Sequence, residues 1–260
     1  MNKIFAKQFN KRALAFGWGM VMAMIIFMST AWFAFTTTNQ KISAEITPLS
    51  ILEDYYKEQD RLIAYSETSS KLALSQSFYQ LAKDSAIDIT NSCKVINNVM
   101  VWNNNCHPNA DFVKQKFLEY YDTNFNSFML EYPNKMDITY TNVLENTTLI
   151  SRASPVTFSS EKQGTFAKYN FTYNFEPSIK INLTEQGISL EDFESIYNKI
   201  LECNKKIECF QKINLENWDI STESQGSWFL FKLKTKKPFI FYENDIENYA
   251  PIELNFIIEL

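Results

Sequence analysis

The sequence predicts an α+β protein: an N-terminal transmembrane helix, a long helix after it, and then an extracytoplasmic domain built on an antiparallel sheet. Three observations predict it. The first is a run of 23 uncharged, mostly apolar residues, Ala13 to Phe35. The second is the recurrence of apolar residues at helical spacing after Pro48 and again from Asp111 to Leu130. The third is strict apolar–polar alternation in the C-terminal half, as in Ala167-Lys168-Tyr169-Asn170-Phe171-Thr172-Tyr173-Asn174-Phe175. The expected division is a basic cytoplasmic segment at 1–12, the transmembrane helix at 13–36, a linker and long helix at 37–88, and the extracytoplasmic domain at 89–260.

The apolar run comes first. At ~1.5 Å rise per residue it spans the ~30 Å hydrocarbon core of a bilayer. Lys3, Lys7, Lys11 and Arg12 precede it, and no acidic residue occurs before Glu45. This charge bias places the N-terminus in the cytoplasm and the remainder outside, as a signal-anchor does, with the lipid bilayer as partner through residues 13–36. A cleaved secretory signal has a shorter apolar core and a small-residue exit. Here the exit is Ala31-Trp32-Phe33-Ala34-Phe35, which is bulky. A buried core helix is the other alternative, and so long an uncharged run is unusual for one.

Charge and cysteine usage agree with an exported domain. The five basic residues Lys3, Lys7, Lys11, Arg12 and Lys41 precede every acidic one, so a whole-chain charge of −5 becomes −10 after residue 41. Such a domain repels nucleic acid and anionic lipid, and it suits solubility, cations or basic protein partners. The four cysteines form two local pairs, Cys93 with Cys106 and Cys203 with Cys209. Pairing neighbours closes the shortest of the loops that the three possible connectivities allow, and disulfides persist outside the cell. The rival is a zinc site with His107, but no two-residue knuckle is present and His107 is the sole histidine. Three glycosylation sequons follow, at Asn146, Asn170 and Asn182. Alternation puts Asn170 and Asn182 on the wet faces of strands.

The elements follow in order. Thr47-Pro48 is a helix start, with Glu53 and Asp54 near the positive end of the dipole. Ile51, Tyr55, Leu62, Tyr65, Leu72, Tyr79 and Ala86 form a stripe that Glu58, Ser69 and Gln76 interrupt. Such a helix either pairs with another or lies along the domain. The Asn-rich loop between Cys93 and Cys106 leads to a second helix, Asp111 to Leu130, carrying Phe112, Phe117, Tyr120, Tyr121 and Phe128. Strands are expected at Met136–Leu144, Thr148–Phe158 and Ala167–Leu183. Ser189-Leu190-Glu191-Asp192 resembles a helix cap, and Phe193, Ile196, Tyr197, Ile200 and Leu201 mark one face of the helix it starts. The closing strands are Trp228–Lys234, Phe239–Tyr242 and Ile252–Leu260.

Chemistry-bearing patterns are scarce. A nucleophilic triad would have to use His107, which sits beside a cysteine pair and Pro108 and reads as a loop histidine. Ser159-Ser160-Glu161-Lys162 has Ser-x-x-Lys spacing but falls in a polar turn without partner motifs. No phosphate loop, dinucleotide glycine pattern or EF-hand loop occurs. Glu243, Asp245 and Glu247 could hold a hard cation loosely, or form a solvated turn. Trp218 and Trp228 read as core, with a surface anchor for a protein partner or sugar as the alternative. No catalytic, cofactor-binding or metal residue is expected.

The anchor, the segment Trp102-Asn103-Asn104-Asn105-Cys106-His107-Pro108, the aromatic helix ending at Tyr132-Pro133 and the two cysteine pairs together resemble uncharacterised single-pass membrane-anchored surface proteins of small-genome archaea. That resemblance implies the layout and no activity. Arg12-Ala13-Leu14-Ala15 is also similar to an archaeal type IV prepilin site, with processing at Ala13 and Leu14. Against a pilin stand the missing acidic residue in the first apolar turn and expected helix breaks at Thr36-Thr37-Thr38 and Pro48. The functional expectation is a membrane-anchored, extracellular surface or interaction protein, a glycoprotein without enzymatic activity. A pilin-like subunit assembling through its N-terminal helix is the alternative, and an envelope-acting enzyme the second alternative.

Overall fold

A computed structural model describes residues 3–87, 93–133, 138–163, 168–203, 206–210 and 212–259, with side chains at 22–37 and from 51 onward apart from 162–163, 168–169 and 225. The topology residues Lys3, Lys7, Lys11 and Arg12 and the processing pair Ala13 and Leu14 therefore lie outside the described side chains. Met136 and Ala167 lie outside the described residues altogether. The architecture is α+β: α1 (Lys3–Lys83), β1 (Val95–Ile96), β2 (Val99–Trp102), α2 (Ala110–Leu130), β3 (Tyr140–Glu145), β4 (Thr148–Ala153), β5 (Val156–Gln163), β6 (Lys168–Phe175), β7 (Ser178–Asn182), α3 (Glu191–Glu202), α4 (Ile207–Phe210), β8 (Trp218–Gln225), β9 (Trp228–Glu243) and β10 (Ile246–Glu259).

The helix breaks expected at Thr36-Thr37-Thr38 and at Pro48 are absent, because α1 is one helix of 81 residues. Three consecutive threonines do not end it. The Thr36 hydroxyl bonds to the carbonyls of Trp32 and Phe33, and that of Thr37 to Phe33 and Ala34. Each hydroxyl is satisfied inside the helix instead of competing for its backbone. Pro48 lies inside the helix, where it removes one N–H donor.

The chain forms two compact units, Met1–Glu58 with Phe158–Tyr173, and Gln59–Thr157 with Asn174–Leu260. In the first, Tyr55 stacks on Phe158 at 5.7 Å and on Tyr173 at 6.3 Å, and Tyr56 meets Tyr173 edge-on at 5.5 Å. The Tyr55 hydroxyl donates to the Phe171 carbonyl at 3.4 Å. β5 and β6 pair as a two-stranded sheet.

The second unit holds a five-stranded sheet in the order β1-β2-β10-β9-β8 and a three-stranded sheet in the order β3-β4-β7. All its pairings are antiparallel except β2 with β10. Two hairpins turn on residues with positive φ, Asn97-Asn98 (51° and 64°) and Asn244-Asp245 (51° and 63°). Both are two-residue connections in which each central residue is left-handed, the turn whose twist matches the strands and which Asn and Asp tolerate best. Aromatic residues fill the core. Trp102 stacks on Phe256 and Phe256 on Phe231, while Phe78 meets Phe193, Trp218 and Phe239 at 5.8 Å each. On α2, capped by the Asn109 side chain, Val113, Phe117, Tyr121, Phe125 and Met129 recur every fourth residue and are buried.

Prolines redraw several strand boundaries. The expected strand Thr148–Phe158 is two, divided at Ser154-Pro155, and the alternation up to Leu183 divides at Glu176-Pro177 into β6 and β7. Proline cannot donate to a ladder. The reverse holds in β9, which runs through Pro238 as one strand instead of two. Pro238 lies opposite Pro251 of β10, beyond Thr235, where β9 parts from β8. The irregular step there is satisfied by Thr235, whose hydroxyl accepts from the Ile252 N–H at 2.9 Å and donates to the Lys237 carbonyl at 2.7 Å. β8 was not expected, since Trp218-Asp219-Ile220-Ser221-Thr222-Glu223 is too polar to stand out. It is an edge strand, which explains that composition.

The start of α3 differs too. Its N-cap is Leu190, which makes no side-chain cap bond. Asp192 is occupied elsewhere, accepting from Asn217 Nδ2 at 3.0 Å and Trp218 Nε1 at 3.1 Å. Phe193, Ile196, Tyr197 and Ile200 are buried as the spacing predicts, whereas Leu201 is exposed.

Candidate functional site

The apolar stretch of α1 presents a continuous run of exposed apolar side chains. From Met22 to Phe35 every described side chain is exposed, including Phe27 at 74% and Trp32 at 71%. Fourteen consecutive helical residues face all directions around the axis, so the exposure encircles the helix. Its polar groups are inactivated: Ser29 donates to the Ile26 carbonyl at 2.8 Å, and Thr30 to those of Ile26 and Phe27. Among the described residues no helix is long and apolar enough to cross a membrane. The run Ala13–Phe35 is described at its side chains only from Met22.

In the second unit both local cysteine pairs are disulfides, Cys93–Cys106 and Cys203–Cys209, with Cα separations of 5.6 and 5.4 Å. The first closes the loop that holds Trp102 and Asn103, and His107 follows it directly. The Asn103 side chain accepts from the backbone N–H groups of Asn105 and Cys106, and the Trp102 indole donates to the Ser85 carbonyl. His107 lies flat on Tyr197, with ring centroids 4.6 Å apart, and among the described residues no hydrogen-bond partner reaches its buried Nδ1.

The other chemistry-bearing patterns also enter the scaffold. Ser159 to Lys162 lie in strand β5 instead of a turn or helix, so the one-turn spacing that lets a lysine activate a serine is lost. Trp218 is buried at 2% exposure and bonded to Asp192, so it is no surface anchor; Trp228 is half-buried at the end of β9. Among the described residues no group of three or more His, Cys, Asp or Glu side chains gathers where a metal could sit.

Glu243 is the last residue of β9, directly before the Asn244-Asp245 turn, and its carboxylate is paired. It accepts from the Tyr79 hydroxyl at 2.6 Å and from Lys83 Nζ at 3.0 Å, while Glu247 accepts from the Tyr242 hydroxyl at 3.2 Å. The hydrogen bond from Tyr79, then Lys83, holds the Glu243 carboxyl below the usual carboxylate range. Burial and then the bond to Glu243 push the Tyr79 phenol up, and the Glu243 bond raises Lys83. The three line one end of an open groove of about 530 Å³ whose walls include Val95, Met100 and Phe241. Deeper in the unit, burial pushes the Tyr121 phenol up to about 12. Its hydroxyl lies 2.5 Å from that of Ser70 and 3.1 Å from that of Ser151.

The sequons are placed differently from one another. Asn146 is exposed at the two-residue β3–β4 turn with φ 53°, and Asn170 is exposed on β6. Asn182, expected on a wet face, is half-buried at the end of β7, and its side chain is engaged. Its Oδ1 accepts from the Thr184 N–H and hydroxyl, and its Nδ2 donates to Glu185.

Comparison of the chain with known protein families, with curated proteins and with solved structures finds no match.

Proposed function

We propose that this chain is a single-pass membrane protein whose N-terminal helix sits in the bilayer, N-terminus cytoplasmic, and holds the disulfide-bonded α+β domain outside as a surface or interaction module. The observation that carries the reading is the belt of exposed apolar side chains from Met22 to Phe35, continuous in sequence with the uncharged residues from Ala13 and bounded by four N-terminal cations. Leaving such a belt in water forfeits about 25 cal/mol for each Å² of apolar surface, which a bilayer or a helix partner recovers. The two disulfides favour an oxidising compartment. The hydroxyl and carboxyl groups singled out above are engaged in packing and structural pairs, which favours interaction over catalysis.

The test is alkaline carbonate extraction of membranes followed by protease treatment of intact cells. Retention in the pellet with the C-terminal domain digested supports the proposal. Release into the supernatant, or protection of that domain, overturns it.

A second reading, a pilin-like subunit assembling through the same helix, is favoured by one observation. α1 continues unbroken through Thr36–Thr38 and Pro48, so the expected objection to a continuous spine falls away. Intact mass of the mature protein separates the readings, because prepilin-type processing removes residues 1–13 and a stable anchor keeps them.

A further inference from the structure

We infer that Asn146 and Asn170 are the N-glycosylated positions of this chain and that Asn182, despite its sequon, stays unmodified as a structural residue. The inference rests on the extracytoplasmic placement proposed above and goes beyond it by separating three sequons that are equivalent as sequence. Modification requires the amide Nδ2 to attack the anomeric carbon of a saccharide carried on a polyprenyl diphosphate. The new C–N bond forms as the C–O bond to phosphate breaks. The lipid diphosphate leaves with the electron pair and the amide nitrogen gives up one proton, so the step is redox-neutral.

A folded chain must then hold a bulky, hydrated group at that nitrogen. Asn146 meets this need at the tip of the β3–β4 hairpin. The turn is exposed there, and the positive φ of 53° is one that asparagine tolerates. Asn170 meets it in another way. Strand period puts it with Thr172 on one face of β6, and both are exposed, so the amide and the hydroxyl of the sequon are presented together. Among the described residues neither asparagine side chain makes a hydrogen bond.

Asn182 is the opposite case. Its Oδ1 is committed, 2.7 Å from the Thr184 hydroxyl and 3.1 Å from its N–H, and its Nδ2 lies 3.5 Å from Glu185 Oε1. These bonds shape the turn after β7, where the Leu183 N–H donates to the Thr147 carbonyl and Leu183 and Ile188 are buried. A glycan on Nδ2 would displace the Glu185 contact and force the half-buried side chain outward.

Peptide mapping by mass spectrometry of the full-length protein, extracted from the membranes of its own host, tests the assignment. Saccharide mass is expected on the peptides holding Asn146 and Asn170 and not on that holding Asn182. Thr172→Val, at an exposed strand position, should remove the Asn170 increment alone. Saccharide on Asn182, or bare peptides at Asn146 and Asn170, overturns the assignment. Thiol alkylation of the same sample without reductant tells the two failures apart. Unreactive cysteines with bare asparagines overturn the glycan assignment only, whereas reactive cysteines with bare asparagines overturn the export reading as well.

Discussion

The side chain of Gln76 substitutes for a missing strand beside Tyr242. Its Oε1 accepts from the Tyr242 N–H at 2.7 Å and its Nε2 donates to the Tyr242 carbonyl at 3.1 Å. β9 pairs with β8 only up to Thr235, so beyond that residue its outer edge has no strand neighbour among the described residues. One glutamine on α1 restores the two bonds a neighbouring peptide would make. This both covers an edge that could pair with another chain and fixes α1 against the hairpin.

Gln76→Ala is therefore expected to destabilise the protein by about 1–3 kcal/mol, the effect of leaving a backbone donor and acceptor unpaired. Chemical denaturation of the detergent-solubilised chain gives the loss. Amide exchange localises it: the Tyr242 N–H should lose protection while that of Leu254 keeps it.

The Tyr79–Glu243–Lys83 cluster predicts a pH dependence. Glu243 is held below its ordinary range, so its contribution is fully present above that range and is lost as pH falls through the lowered value. Lys83 is held above its ordinary range, so its contribution is present below that range and is lost as pH rises through the raised value. Glu243→Gln should melt below wild type near neutral pH, with the two curves converging on acidification into the carboxylate range. A gap that persists unchanged at low pH would exclude the cluster as its source.

Tyr121→Phe leaves the Ser70 and Ser151 hydroxyls in a buried site without their shared partner, for an expected loss of about 1–2 kcal/mol. Ser70→Ala should add little once Tyr121 is already phenylalanine. A double-mutant cycle by urea denaturation measures this coupling, and full additivity would contradict the geometry.

Removal of the Cys93–Cys106 disulfide by double serine substitution should be the more damaging of the two. Its sequence separation of 13 against 6 for Cys203–Cys209 gives chain-entropy contributions of about 3 and about 2.4 kcal/mol. It also closes the loop that holds buried Trp102. Thermal melts of both variants give the order.

Phe27→Asp places a charge in the middle of the exposed apolar belt, which disfavours bilayer insertion by roughly 3 kcal/mol. Membrane fractionation should show a marked shift of the variant out of the carbonate-resistant pellet, while Tyr249→Asp, on an exposed position of β10, should leave it there.

How much of this was legible in the sequence depended on distance along the chain. Phe117 and Tyr121 on α2, the core face of α3 up to Ile200 and the two local cysteine pairs are legible at short range, and the structure has each of them, whereas the buried face of α2 is completed by Val113, Phe125 and Met129 and leaves Phe112, Tyr120 and Phe128 half-buried. Asn97-Asn98 could have been recognised as a hairpin turn by the same local logic. Pro238 misled because a proline signals a strand end only when its nitrogen faces a partner. That depends on where β8 stops.

By itself the sequence determined what local chemistry encodes: the uncharged N-terminal run, the α+β order and two local cysteine pairs, whose disulfide partnership the structure supplies. Only the tertiary structure decided which polar residues of α1 are buried and what satisfies them. Ser66, Ser70 and Gln76 are buried because Tyr140, Tyr121 and the Tyr242 backbone, 74, 51 and 166 residues away, supply their hydrogen bonds. A buried polar group is tolerable only with such a partner, and no local period records one that arrives from so far along the chain.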